Sequence, residues 1–160
     1  MLRLVVDAVL DVCDPVLVIA AARQVLPELP DSVRVLTDSE PDQGPLHGLA
    51  LGLTALASCN EVCFVASCDL PYLHPDFIRA VLSQLGDHAA AVPSLDGQLH
   101  PLAAAYRVSV AATAQQSLKD GNRRMTDFAM MLDPMILPAE SLPLPASLIN
   151  INTPADLTGA

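Results

Sequence analysis

Asp69 sits in the setting that most suggests chemistry. An apolar run, Glu61-Val-Cys-Phe-Val-Ala66, is cut short by Ser67, Cys68 and then Asp69 ahead of Leu70-Pro71. A carboxylate at the end of a buried strand projects into the crevice where open α/β sheets bind their ligands. One carboxylate together with substrate phosphates is a usual way of holding magnesium, and the ion neutralises charge on a phosphoryl group under attack. A turn-forming Asp before a proline-containing loop accounts for the same residues equally well.

Gly44-Pro45-Leu46-His47-Gly48 is the second such stretch. Gly48 and Gly52 fall within an apolar helical pattern, where each costs about 1 kcal/mol relative to Ala. With Gly44 they share one helical face, a smooth strip against which a ligand or another backbone can lie. For Gly52 close helix-on-sheet packing is the better reading. For Gly44 and Gly48, at a helix start with free N–H groups, it is ligand approach. Asn150 and Asn152 flank Ile151, either alternating on a strand face or capping a helix at Pro154. His100 before Pro101, and Arg123-Arg124 after Gly121-Asn122, read by themselves as an exposed turn and a solvated basic pair.

The elements that must position these residues are legible in the hydrophobic periodicity. Leu2, Val5, Val6, Val9, Leu10 and Cys13 repeat at helical spacing from the start of the chain. Pro15 to Ala20 is a continuous β-branched run and Val33 to Leu36 a second short one, followed by Thr37-Asp38. A helix is predicted after Gly44-Pro45 on Leu46, Leu49, Leu53 and Leu56, a strand over Glu61 to Ala66, and a helix from Pro75 stopped at Gly86. A strand over Ala89 to Pro93 then turns at Asp96-Gly97 into an antiparallel strand over Leu99 to Tyr106. Helices over 109–119 and 125–132, strands at Met135 to Leu137 and Leu148 to Ile151, and a short helix from Pro154 complete the chain. This alternation predicts an α/β fold: one domain over 1–160, with a mostly parallel open sheet and helices on both faces.

Composition bounds the function. The 160 residues are 52% hydrophobic, enough to bury a core, and their net charge of −10 disfavours a nucleic-acid partner while leaving a small polyphosphate admissible. The longest apolar stretch, Pro15 to Ala22, is far short of a membrane span, and the first residues lack the pattern of an export signal. A cytoplasmic protein without membrane contact is the expectation. Cys13, Cys59, Cys63 and Cys68 form no C-x-x-C pair and read as reduced thiols, with no zinc site.

Taken in order, Asp38, Gly44-Pro-Leu-His-Gly48, Cys68-Asp-Leu-Pro71, His100-Pro-Leu with Tyr106-Arg107, Gly121-Asn-Arg-Arg124 and Asn150-Ile-Asn-Thr-Pro154 resemble the molybdenum cofactor guanylyltransferase (MobA) family over essentially the whole chain. The resemblance implies a single Rossmann-like nucleotidyltransferase domain that moves GMP from GTP to the phosphate of molybdopterin, with Mg2+, and releases pyrophosphate. It implies Asp69 as magnesium ligand and catalytic residue. Asp38 is implied as a reader of the guanine edge, with Gly44, Pro45, Leu46 and Gly48 lining the nucleotide site. His100, Arg124, Asn150 and Asn152 are implied on the pterin-phosphate side.

The chain departs from that pattern twice. The family's first strand and its glycine-rich triphosphate loop have no counterpart, and Ala22 stands before Arg23 where relatives often carry an asparagine. Ala22 keeps a cytidylyl- or sugar-phosphate nucleotidyltransferase as the alternative, and the first departure a truncated, non-catalytic nucleotide-binding or structural paralogue. In the family the absent strand lies between those at Pro15–Ala20 and Glu61–Ala66. The expectation is therefore that these two strands close on each other or that another chain fills the gap, a homo-oligomer through exposed sheet edges being one way.

Overall fold

The computed structural model describes residues 1–38 and 44–151. Helix α1, Leu2–Leu10, buries Val5, Val6 and Ala8. It ends earlier than the apolar stripe through Cys13 predicts, because Pro15 bars the helical conformation from the residue before it. Strands β1, Val16–Ala21, and β2, Val33–Asp38, pair in parallel, with Val16 opposite Val33 and Ala21 opposite Asp38.

Helix α2, Pro45–Leu56, starts with proline at its first turn and buries Leu46, Leu49, Ala50, Leu53 and Leu56. Strand β3, Val62–Ala66, and helix α3, Pro75–Ser83, follow. The His74 ring accepts from the Asp76 N–H and caps α3. Strand β4, Ala90–Leu95, turns through Asp96 and Gly97, both at positive φ (51° and 78°), into the short β5, Gln98–Leu99. That is the left-handed pair a two-residue hairpin requires.

The predicted strand over Leu99 to Tyr106 is broken. A turn over 100–102 separates β5 from β6, Ala103–Arg107, because after the His100 N–H bonds the Pro93 carbonyl Pro101 has no donor to continue, and the Ala103 N–H closes back on the His100 carbonyl. Helices α4, Ala111–Lys119, and α5, Met125–Met131, precede strand β7, Met135–Pro138. The predicted strand at Leu148 to Ile151 is instead a 3-10 turn over Pro145–Leu148, with Ile151 making one backbone bond, N–H to the Asp69 carbonyl at 2.8 Å. Pro145 opens that turn at its first position, and the residues that follow pair with no described strand. The predicted helix from Pro154 lies outside the described residues.

The larger sheet runs β3-β6-β4-β5, with β7 on the far side of β4. Strands β3, β4 and β7 share one direction and β6 runs against them between β3 and β4. Alternation along β6 divides the core. Ala103 and Ala105 face Val5, Phe77, Ile78 and Val81 of α1 and α3. Ala104 and Tyr106 face Leu46, Leu53 and Phe128 of α2 and α5. The result is a helix–sheet–helix sandwich of Rossmann-like type, the class predicted by the alternation. Strand β1 bonds only to β2, and β3 only to β6, so among the described residues the two strands do not close on each other.

Candidate active site

The described contacts bring the residues singled out in the sequence into two groups, one at the end of β3 and one at the start of α2. The main chain leaves β3 at Ser67, whose N–H bonds the Leu102 carbonyl at 2.8 Å, which brings the 100–102 turn against the strand end. Two residues on, the half-buried Asp69 carboxylate is held from both sides. The Ser67 hydroxyl donates to Oδ1 at 2.5 Å and the Asn150 amide to Oδ2 at 3.3 Å, across 81 positions of sequence. With the Ile151 N–H on the Asp69 carbonyl, the C-terminal segment is clasped to this strand end.

Asp38 ends β2, and its Oδ2 meets His47 Nδ1 of α2 at 2.9 Å. The sequence displayed His47 inside the Gly-Pro-Leu-His-Gly stretch, but nothing local assigns it a role, because its partner lies on another element. Gly44 precedes α2 with φ 76° and ψ 174°, a conformation essentially restricted to glycine. A Cβ there meets the Arg123 carbonyl at 3.5 Å, so the 121–124 loop lies against the start of α2. Arg124 is exposed beside it at the start of α5, its N–H bonded to Asn122 Oδ1.

Leu46, Gly48 and Gly52 face the interior. Leu46 is fully buried in the core, so only its main chain can address a ligand, and Pro45 has no N–H to offer. Gly48 and Gly52 face the Ile19 side chain of β1, at 3.6 and 3.8 Å from the position of a Cβ. Helix-on-strand packing, the better reading for Gly52, extends to Gly48 in this geometry. His100 is half-buried, and its imidazole is held below the ordinary value by desolvation. Asn152 lies outside the described residues.

The groups at Asp69 able to hold a cation are its carboxylate and the Ser67 hydroxyl, with the Asn150 amide on the other oxygen, and the described residues hold no cluster of three or more His, Cys, Asp or Glu that could hold a metal. A single carboxylate completed by waters and phosphate oxygens fits magnesium; it does not fit a cage built by protein ligands alone. No helix of the described residues is long and apolar enough to cross a membrane.

The sequence profile of the MobA-like NTP transferase domain matches residues 1–133. A probable molybdenum cofactor guanylyltransferase of Mycobacterium avium is 35% identical over 161 aligned residues, covering 98% of this chain and 78% of the relative. Its namesake in Mycobacterium tuberculosis H37Rv is 36% identical over 148, covering 91% and 71%. Among solved structures, the molybdopterin-guanine dinucleotide biosynthesis protein A of Archaeoglobus fulgidus superposes with a TM-score of 0.63 at 26% identity, covering 78% of this chain and 64% of that one. The 2-C-methyl-D-erythritol 4-phosphate cytidylyltransferase of Thermus thermophilus shares the fold, with a TM-score of 0.69 at 16% identity, covering 96% and 83%. The profile covers residues 1–133 and the two mycobacterial relatives are 35–36% identical over most of both chains: the chain belongs to the MobA-like NTP transferase domain family of nucleotidyltransferases.

Proposed function

We propose that the protein acts in the cytoplasm as a guanylyltransferase, moving GMP from GTP to the phosphate of molybdopterin. The acceptor phosphate oxygen attacks the α-phosphorus of GTP in line, the bond from that phosphorus to the bridging oxygen breaks, and pyrophosphate leaves. The observation that carries the reading is the doubly held Asp69 carboxylate at the end of β3. The shared name of the mycobacterial relatives supports the choice of substrates.

Asp69, with the Ser67 hydroxyl beside it, is the position for Mg2+. When bound, the ion offsets the negative charge that develops on the phosphates. The chain's own contribution is placement, which supplies most of the catalysis in phosphoryl transfer. Asp38 accepts from the ring N–H and amino group of guanine, and His47 orients its carboxylate. Gly44, Pro45, the Leu46 main chain and Gly48 line the nucleotide side, where the Leu46 N–H at the first turn of α2 is the donor offered to a phosphate, Pro45 having none and the His47 N–H closing on the Gly44 carbonyl. Asn150, Asn152, His100 and Arg124 address the pterin phosphate. Asn150 touches Asp69 directly, so it joins the two halves of the site.

The test is a nucleotide series on the protein. With magnesium present, GTP raises the melting temperature more than CTP, UTP or ATP does, and Asp69→Asn removes most of turnover while the fold, read by circular dichroism, is kept. A CTP preference overturns the guanine assignment in favour of a cytidylyltransferase, and unchanged turnover in Asp69→Asn overturns the role of that carboxylate.

A further inference from the structure

Helix α4 ends on an unusual pair. Among the described residues two polar side chains are buried, Ser117 and Ser147. A buried hydroxyl needs a partner, and Ser117 finds one beyond the end of its own helix, its Oγ accepting from Asn122 Nδ2 at 3.1 Å. The main chain makes the same connection. The Asn122 N–H bonds the Ser117 carbonyl and the Gly121 N–H bonds the Leu118 carbonyl, each at 3.0 Å, with Gly121 at φ 86°. These are the two bonds of a Schellman cap.

In such a cap the residue where Asn122 stands is commonly apolar and packs on the residue where Ser117 stands. Here a hydrogen bond replaces that apolar contact. The glycine and the two backbone bonds already end the helix, so the cap itself does not call for an amide. What the amide adds lies at its other end. Its Oδ1 accepts the Arg124 N–H at 3.1 Å, a link that fixes where α5 begins. The Arg124 carbonyl in turn accepts the N–H of the fully buried Phe128 at 3.1 Å. The main chain of Arg124 is thus held on both sides while its side chain stands exposed. The same loop rests on α2, since a Cβ at Gly44 would lie 3.5 Å from the Arg123 carbonyl.

We propose that Asn122 is a positioning residue of the reaction: braced on the buried Ser117 hydroxyl, its amide sets the main chain of Arg124 and so the direction in which the guanidinium meets the acceptor phosphate. Arginine recognises phosphate through a planar fork of parallel N–H donors, so a turned main chain spoils the whole fork and not one bond of it. The effect falls on the acceptor, because the nucleotide side is built on Asp38, His47 and the start of α2. The inference rests on the proposed placement of Arg124 at the acceptor phosphate, which Arg124→Ala tests separately.

Initial rates with GTP and molybdopterin give a KM for each substrate. Asn122→Ala raises the KM for molybdopterin at least about tenfold and leaves that for GTP within about twofold of the parent. Asn122→Asp brings the acceptor KM back to within about threefold, since a carboxylate oxygen still accepts the Arg124 N–H and the Ser117 hydroxyl turns from acceptor to donor. Ser117→Ala combined with Asn122→Leu supplies the usual apolar contact of the cap. Its melting temperature stays within about 3 °C of the parent, yet its acceptor KM rises as in Asn122→Ala. By NMR the Arg124 amide exchanges at least about tenfold faster in Asn122→Ala and in the double variant, and at the parent rate in Asn122→Asp. An acceptor KM that simply follows melting temperature through the set, or equal losses for both substrates, overturns the inference and leaves Asn122 a helix cap. So does a parent-like acceptor KM in Asn122→Ala when Arg124→Ala raises it. A parent-like acceptor KM in Arg124→Ala itself overturns the placement of that arginine, and the inference with it.

Discussion

At the scale of single residues, two side chains show how position decides chemistry. Cys63 and Cys68 are five residues apart, yet burial among apolar neighbours pushes the Cys63 thiol up to about 12, whereas Cys68 is exposed beyond the strand end. Cys63 is therefore an inert core group. His100 has the opposite sign, since desolvation favours its neutral form and holds it below the ordinary 6.5. As pH falls through that ordinary value the unfolded chain binds a proton before the folded one does. Stability present above it is consequently lost as the pH drops toward the folded value. Urea unfolding at about pH 7.5 and about pH 5.5 checks this, for His100→Asn loses less stability between the two than the parent protein. Equal losses assign the acid sensitivity to other groups.

At the scale of elements, helix α2 carries two glycines whose substitutions separate conformation from contact. Gly44 stands at φ 76° with room for a Cβ, which would lie 3.5 Å from the Arg123 carbonyl. Gly44→Ala therefore costs about 1–3 kcal/mol through backbone strain and not through crowding. Gly48 is inside the helix, and the methyl of Gly48→Ala meets Ile19 at an ordinary 3.6 Å. Its helix propensity gains up to about 1 kcal/mol, so thermal unfolding shows this variant at least as stable as the parent. If Gly48→Ala nevertheless weakens GTP binding, the glycine also serves the nucleotide, as the proposed site has it. Unchanged GTP binding leaves it as a packing residue against β1.

At the scale of the whole molecule, stability rests on two apolar layers divided by one sheet. Phe77, from α3, and Phe128, from α5, are both fully buried on opposite faces of β6. Phe128 also stacks on Tyr106 at 6.5 Å, and the Tyr106 hydroxyl donates to the Pro101 carbonyl at 2.8 Å. Truncation of either phenylalanine to Ala is expected to cost about 3–5 kcal/mol, measured by denaturant unfolding. Because the layers share β4 and β6, either loss lowers the single transition of the molecule. A variant that melts in two steps would show the layers to be independent.

The alternation of strands and helices, the hairpin at Asp96-Gly97 and the helix opening at Gly44-Pro45 were legible in the sequence, because each depends on periodicity or on the φ of one or two residues. Asp69 was legible for the same reason, as a carboxylate where an apolar run stops. What lay beyond local reading were contacts between distant segments. The Asp69–Asn150 bond spans 81 positions, and His47 finds Asp38 from a different element. The 149–151 segment is clasped to Asp69 and is not a strand, since what fixes it is a tertiary bond, the Ile151 N–H on the Asp69 carbonyl, and not pairing with a described strand. The order of strands in the two sheets belongs to the same class. Apolar periodicity says that a strand is buried, while which edges are paired is decided only when the whole sheet is assembled.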